Sequence, residues 1–202
     1  DDKVLFIKEV HEKEHSLELH LPFIKYYLGN PKIVLLLTTT SDKTLLEKCG
    51  EMVADSLRKH NRKSLIVLST DLSHYHPYED AYKIDKNTID LILSEDYEKL
   101  DKLISIKASE MCGYDSFAAF KSAINSLGAD SRELILYKTS ADTVPESKSG
   151  GVVGYASIVF GKSNKTEEYS EDEKELLLNI AKMTIKNCLD KKDTKPEKPF
   201  NE

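Results

Sequence analysis

The fold is decided by the stretch Leu65-Ile66-Val67-Leu68-Ser69-Thr70-Asp71-Leu72-Ser73-His74-Tyr75-His76. It opens with four consecutive aliphatic residues, a pattern typical of a strand that is buried on both faces of a parallel sheet. Polar residues follow at once, and ligands of open α/β proteins bind beyond the carboxyl ends of such strands. The stretch therefore predicts a strand at 65–68 and a candidate site in the residues directly after it, among them Asp71, Ser73 and His74.

Four further apolar runs predict strands, and helical patterns lie between them. The predicted strands cover residues 4–7, 33–37, 134–139 and 152–160. The predicted helices cover residues 17–28, 45–60, 79–94, 97–104 and 117–127. Strands that alternate with helices are typical of an α/β domain, and we expect a three-layer αβα fold with a mainly parallel sheet.

The composition excludes several classes of function. The 202 residues carry a formal charge of -6 with the Lys and Arg residues scattered, so we expect no nucleic-acid or anionic-membrane partner. The longest apolar run, 33–37, is far shorter than the roughly 20 residues of a membrane span, and the N-terminus shows no leader pattern. The three cysteines, an odd number, are widely spaced at positions 49, 112 and 188. They do not have the pattern of a disulfide framework, which fits a reducing compartment. These features predict a soluble cytoplasmic protein.

A group of histidine and acidic residues precedes the first predicted helix. His11, His15 and Glu18 stand at spacings of four and three, so they share one face if the helix begins early enough. That face would suit a metal ion or a proton transfer. A solvated surface of acids and imidazoles is the alternative.

Cys112 stands in a second polar loop, residues 108–116, directly before the helix predicted at 117–127. The dipole at a helix N-terminus favours the thiolate form of a cysteine, which is the reactive and metal-binding form. The alternative is a small residue packed in a turn beside Gly113. Both interpretations stay open on the residues alone.

The composition changes after Gly161. Residues 162–169 are polar and predict a linker, and a capping-box pattern at Ser170 and Glu173 predicts the start of another helix. The remaining residues up to 202 offer this helix no core of its own. It either docks on the main domain or begins a second domain.

Four stretches, taken together, resemble the Memo family, the B component of the AmmeMemoRadiSam system. They are Ser69-Thr70-Asp71-Leu72-Ser73-His74-Tyr75, Met111-Cys112-Gly113, Val153-Gly154-Tyr155-Ala156 and, before them, Glu14-His15-Ser16-Leu17-Glu18-Leu19-His20-Leu21-Pro22-Phe23. The resemblance implies a fold related to class III extradiol dioxygenases. Residues 169–178 resemble the opening of the Amme domain. We therefore expect the C-terminal part of a Memo-like domain at 1–161, a linker at 162–169 and the first helix of an Amme-like domain at 170–202.

The resemblance also implies a metal site. Memo proteins begin with a segment that carries a Pro-His-Ala-Gly type motif and a second histidine, and no stretch of this sequence matches it. In the family those two histidines and the cysteine of the Cys-Gly motif line the metal site, so the resemblance makes Cys112 a metal ligand. His74 matches the general-base position of the dioxygenases, and Asp71 lies beside it in the same motif. A thiolate with imidazoles suits copper, iron or zinc.

The preferred function is metal-linked redox chemistry, with copper or iron, within the AmmeMemoRadiSam system. Cys112 is the predicted ligand, and His74 is the predicted proton-transfer residue if Asp71 or Glu14 orients its other ring nitrogen. The predicted pocket residues are Glu14, His15, Glu18 and Ser73. A radical-SAM protein or an Amme domain of the same system is the expected partner.

Two other functions compete with this one. The first is a non-catalytic protein whose dioxygenase-like cleft receives a peptide or a partner. The second is an inactive fragment, which predicts exposed apolar surface where missing strands should pair.

Overall fold

A computed structural model describes residues 4–12, 14–60, 63–144 and 150–163. After a short 3-10 helix at Lys8–His11, three helices follow: α1 His15–Glu18, α2 Leu21–Leu28 and α3 Lys43–His60. The remaining elements are β1 His74–His76, α4 Tyr78–Leu93, α5 Tyr97–Ser105, α6 Tyr114–Ser126, β2 Ser131–Thr139, α7 Ser140–Thr143 and β3 Val152–Gly161. The described part of the chain is thus α/β, with helices and one small sheet.

The sheet has three strands in the order β1-β3-β2, and both pairs are antiparallel. In the long pair, Ser131 lies opposite Gly161 and Thr139 lies opposite Gly154, with an irregularity between Leu134 and Leu136. The short strand β1 pairs with the start of β3, where His74 faces Val153. β3 is therefore the central strand, and it ties the residues of the predicted site to the sheet.

The core lies where α4, α5 and α6 meet the sheet. Its largest cluster of buried side chains is Leu72, Ile89, Leu91, Ile92, Leu100, Met111 and Phe117. Phe120 of α6 packs edge-on against Phe160 of β3, with ring centroids 5.2 Å apart. α3 packs on α6 through Gly50, where a Cβ would collide with the Ala119 carbonyl oxygen, so only glycine allows this approach.

Three of the predicted strands are not strands in the structure. No described residue of 4–7, 33–37 or 65–68 is in a strand, and Val34, Leu36, Leu65 and Val67 are each more than half exposed. A strand needs a hydrogen-bonded neighbour, and no backbone hydrogen bond joins 33–37 or 65–68 to another described segment. The described sheet is consequently antiparallel, where the sequence predicts a mainly parallel one.

The predicted helix at 17–28 is also different. It is divided into α1 and α2, and His11 lies in the separate 3-10 helix, so His11, His15 and Glu18 do not share one continuous helical face. The helices predicted at 45–60, 79–94, 97–104 and 117–127 are confirmed as α3, α4, α5 and α6. The strands predicted at 134–139 and 152–160 are confirmed as β2 and β3.

The contacts divide the chain into Asp1–Lys162 and Ser163–Glu202. The predicted Amme-like helix at 170–202 and most of the predicted linker lie outside the described residues. Among the described helices, none has both the length and the apolar character needed to cross a bilayer.

Candidate metal centre

The loop before β1 is fixed by hydrogen bonds to β3. The Leu72 N–H donates to the Gly154 carbonyl oxygen at 2.9 Å, and the Gly154 N–H donates to the Ser73 carbonyl oxygen at 3.0 Å. From α4, Asp85 reaches the same place, and its fully buried carboxylate accepts the Ser73 N–H at 2.9 Å. A Cβ on Gly154 would collide with this carboxylate, so the glycine makes room for Asp85.

Tyr137 of β2 completes the support of this loop. Its hydroxyl donates to the second oxygen of Asp85 at 2.8 Å. Burial, together with the hydrogen bond to Asp85 and the charge of that carboxylate, raises the pKa of Tyr137 well above its ordinary value. The phenol therefore stays neutral and remains a donor, which holds Asp85 against the loop.

A second loop brings Cys112 to the first one. The Cys112 N–H donates to the Asp71 carbonyl oxygen at 3.1 Å. In return, the Asp71 N–H donates to Cys112 Sγ at 3.2 Å. The Gly113 N–H donates to Thr70 Oγ1 at 2.8 Å, and a Cβ on Gly113 would lie only 2.8 Å from Thr70 Cβ. Glycine after the cysteine thus allows the two loops to meet, and an N–H group points at the sulfur.

Asp71, His74 and Cys112 form a cluster of three potential ligands. One ligand atom from each lies within 4.8 Å of the others, and His74 Nε2 lies 3.4 Å from Asp71 Oδ2. Two ligands of a tetrahedral ion at about 2.0–2.3 Å are roughly 3.3–3.8 Å apart, which is the separation of His74 Nε2 and Asp71 Oδ2, and a small movement of Cys112 Sγ would complete the set. Thiolate, imidazole and carboxylate together suit a transition ion such as copper, iron or zinc. The described residues contain this one group with such a spacing.

Glu110 is the residue that fixes β1 beside the cluster. One carboxylate oxygen accepts the His74 N–H at 3.2 Å, and the other pairs with His76 Nε2 at 2.7 Å. Tyr75 between the two histidines has a left-handed φ of 61°. The sequence suggests His76 as a solvent-facing neighbour, whereas its side chain is only one-third exposed and is paired.

A cavity of about 360 Å³ adjoins the cluster. His74 and Cys112 lie in its lining. The remaining lining residues are three apolar and three polar ones, namely Leu72, Ile104 and Met111 with Lys107, Ser109 and Glu110. A small molecule in this cavity would therefore touch both the cluster and an apolar wall.

The other predicted site residues are not in the cluster. Glu14 accepts the Ser16 N–H at 2.8 Å, and His15 Nδ1 lies 2.6 Å from Glu18 Oε1, so the described contacts of these three are local. The Glu18 carboxylate raises the pKa of His15. Ser73 is fully buried, and its hydroxyl has no hydrogen-bond partner among the described residues.

Sequence reasoning missed Asp85 and Glu110. Asp85 had a visible signal, because it is an acid among the inward positions Ile84, Ile89 and Ile92 of the predicted helix at 79–94. Glu110 stands two residues before Cys112, but no local pattern shows that it reaches β1.

Comparison with known proteins decides the family. The model of the family described as Memo-like protein matches residues 4–159. The chain belongs to the Memo family. A MEMO1 family protein of Methanopyrus kandleri is 33% identical over 151 residues, which cover 74% of this chain and 53% of the relative. One from Methanothermobacter thermautotrophicus is 36% identical over 148 residues, and one from Archaeoglobus fulgidus is 35% identical over 150. Their coverage is 73% and 74% of this chain and 53% and 56% of the relatives.

This Memo family chain spans about half the length of the curated relatives it matches. The matched range includes all three residues of the cluster, Asp71, His74 and Cys112.

Proposed function

We propose that this Memo family chain holds a copper or iron ion through Cys112, His74 and Asp71 and supports redox chemistry in the adjoining cavity. The observation that carries the proposal is the spacing of the three ligand atoms, all within 4.8 Å of one another at the edge of a cavity. When bound, such an ion supplies one-electron chemistry that amino-acid side chains do not offer.

The protein's part is to hold the three ligands in place. The Asp71 N–H donates to Cys112 Sγ, which favours the thiolate that binds metals. Asp71 Oδ2 lies 3.4 Å from His74 Nε2, so the two side chains already bring their ligand atoms close together. Asp85 and Glu110 fix the backbone of Ser73 and His74 from two sides, so the loop keeps its shape without an ion.

This proposal gives His74 the role of a ligand. The resemblance implies a proton-transfer role for the same residue, and that role remains a prediction. The structure favours the ligand role because His74 is one of three donors that converge, and a single thiolate would be a weak site.

We further propose, from the resemblance, that the chain has the dioxygenase-like fold and acts in the cytoplasm with a radical-SAM protein or an Amme domain of the AmmeMemoRadiSam system. The motifs that support this proposal are the stretches around Asp71, Cys112 and Gly154. Pull-down of this chain with each of the two partners tests the partnership. The amount of partner captured is compared with that captured by the Cys112→Ser chain and by the Cys49→Ser chain, which is the folded control.

A peptide-binding role for the same cleft is the second candidate. The apolar wall of Leu72, Ile104 and Met111 favours it, because apolar side chains beside a few polar groups suit a peptide side chain as well as a substrate. This role requires no metal, so metal binding separates the two functions.

The deciding experiment is a competition titration with Cu(I), Fe(II) and Zn(II) under anaerobic conditions. We expect tight binding of one equivalent of copper or iron, weakened at least about 100-fold in Cys112→Ser. Cys49→Ser is the matched control because Cys49 is a half-buried cysteine of α3 that does not belong to the cluster, and this variant should bind metal like the wild type. Tight binding of zinc alone would contradict the redox function, and no binding of any ion would favour the peptide-binding role.

A further inference from the structure

Three helices of this chain end in the same way. After α4, α5 and α6, a residue in the left-handed conformation ends the helix, namely Glu95 with φ 60°, Lys107 with φ 58° and Gly128 with φ 80°. In each case the N–H of the next residue donates to a carbonyl oxygen five positions earlier, as from Ala108 to Leu103 at 2.8 Å. This is the Schellman ending, in which glycine is the favoured residue because it has no Cβ.

Glu95 and Lys107, the two residues other than glycine at these helix ends, differ in the contacts of their side chains. Glu95 forms an ion pair with Arg132, whose side chain is nearly buried, so a glutamate there has a structural role. The Lys107 ammonium has no hydrogen bond or ion pair with any residue that the structure describes. Packing and pairing therefore explain Glu95 but not Lys107.

The Lys107 side chain lies in the lining of the cavity beside His74 and Cys112. Glu110 is the second charged residue of the lining that does not belong to the cluster, and its carboxylate is already paired with His76. The Ser109 hydroxyl accepts a hydrogen bond from Asn87 at 3.2 Å. Among the described lining residues outside the cluster, Lys107 thus carries the charge that remains available to a ligand.

We propose that Lys107 recognises the carboxylate of a small monocarboxylic acid whose apolar body lies against Leu72, Ile104 and Met111. A single ammonium neutralises a single negative charge, whereas a phosphate group is usually held by several donors. The cavity is open to solvent on the side of the exposed Lys107, and its volume of about 360 Å³ has room for a small acid. This assignment rests on the proposed function in one respect, that the far end of the acid meets the ion held by Cys112, His74 and Asp71.

The test uses hexanoate as the probe and neutral hexanamide as its matched control, titrated by NMR into the full chain without metal. We expect hexanoate to shift the amide signals of residues 107–112, and Lys107→Gly to weaken its binding about 10- to 100-fold. Lys107→Arg should bind within about threefold of the wild type, because the charge is kept. Hexanamide should bind as weakly to the wild type as hexanoate binds to Lys107→Gly.

A folding control is built into this design. Lys107→Gly places the favoured residue at a helix end, so its melting temperature should equal the wild-type value or exceed it by up to about 4 °C. Glu95→Gly makes the same change at the end of α4, loses the pair with Arg132, and should leave hexanoate binding unchanged. Equal affinity of wild type and Lys107→Gly for hexanoate, or no binding to the wild type, would overturn the assignment.

The failure of this assignment is distinguishable from the failure of the proposed function. Asp71→Ala should weaken metal binding and keep hexanoate, because Asp71 belongs to the cluster but not to the cavity lining, whereas Lys107→Gly should keep metal and weaken hexanoate binding. If the wild type binds hexanoate through Lys107 but binds no copper or iron, the redox function fails alone.

Discussion

Two parts of this chain use their apolar residues differently. Between residues 4 and 41, no described residue is buried, although the range includes the run Ile33-Val34-Leu35-Leu36-Leu37. From α3 to β3, side chains such as Leu46, Leu100 and Val152 are at most 1% exposed. The difference shows that an apolar run alone does not ensure burial. The run is buried only where a neighbouring segment packs on it and pairs with its backbone groups.

The candidate site belongs entirely to the second part. Asp71 and Cys112 lie on two loops, His74 is the first residue of β1, and β3 and α4 hold the loop before β1. The acidic and histidine residues of the first part make contacts among themselves. Thr38 and Ser41, at the end of the first part, form side-chain hydrogen bonds with Ser116 and Asp115 at the start of α6. Changes in the second part should therefore disturb both folding and the site, and changes in the first part away from Thr38 and Ser41 should disturb neither.

The largest effect is expected from Gly154→Ala. The new Cβ would collide with the Asp85 carboxylate, and moving Asp85 would break its bonds to Ser73 and Tyr137. We expect a loss of about 4 kcal/mol in the free energy of unfolding, measured by urea denaturation, because overpacking and lost buried hydrogen bonds add. Gly150→Ala is the control, since a Cβ there meets no described atom within 4 Å. Equal stability of the two variants would show that Asp85 does not need the space.

The next effect compares one leucine from each part. Leu100 is fully buried between α5 and the core, and Leu36 is 57% exposed. Leu100→Ala should lower the free energy of unfolding by about 3 kcal/mol, because it removes buried surface and leaves a cavity. Leu36→Ala should change it by less than about 0.5 kcal/mol. A large loss in Leu36→Ala would mean that residues 33–37 are buried in solution.

A smaller effect is expected on association. The run 33–37 combines exposed apolar side chains with backbone groups that have no described backbone partner, which invites pairing between chains. We expect the wild type to associate as its concentration rises in sedimentation velocity. The double variant Val34→Lys, Leu36→Lys should associate less and leave the free energy of unfolding unchanged. Association as strong as in the wild type would assign the contact to another surface.

The smallest effect concerns a single ionisation in the first part. Glu18 raises the pKa of His15, so the charged imidazole is favoured in the folded chain. The pair therefore stabilises the folded chain fully below the unfolded pKa of about 6.5, and this contribution is lost as the pH rises through the raised value. Glu18→Gln should lower the pKa of His15 measured by NMR, and Glu98→Gln on α5 should leave it unchanged. An unshifted His15 in Glu18→Gln would contradict the pair.

The comparison also explains which parts of the fold could be predicted. The helices α3 to α6 follow from a periodicity within each segment, and Gly128, directly after the helix predicted at 117–127, ends α6 in the left-handed conformation that favours glycine. The strands predicted at 33–37 and 65–68 fail because pairing depends on neighbours that local sequence does not specify. The same reason makes the described sheet antiparallel, since β2 and β3 are close in the chain and pair directly.

The site shows the same division. Asp71, His74 and Cys112 could be proposed because each stands just after an apolar run or just before a helix. That they converge depends on two hydrogen bonds between Asp71 and Cys112, which join loops about forty positions apart. Asp85 and Glu110 support the site from a distance in sequence, so no spacing rule could have found their roles.

The most direct test of the central claim is X-ray absorption spectroscopy on the copper-loaded chain. We predict a sulfur scatterer at about 2.3 Å with nitrogen or oxygen at about 2.0 Å. The sulfur should disappear in Cys112→Ser and remain in Cys49→Ser. A coordination shell without sulfur, or one that keeps its sulfur in Cys112→Ser, would contradict a metal centre at Asp71, His74 and Cys112.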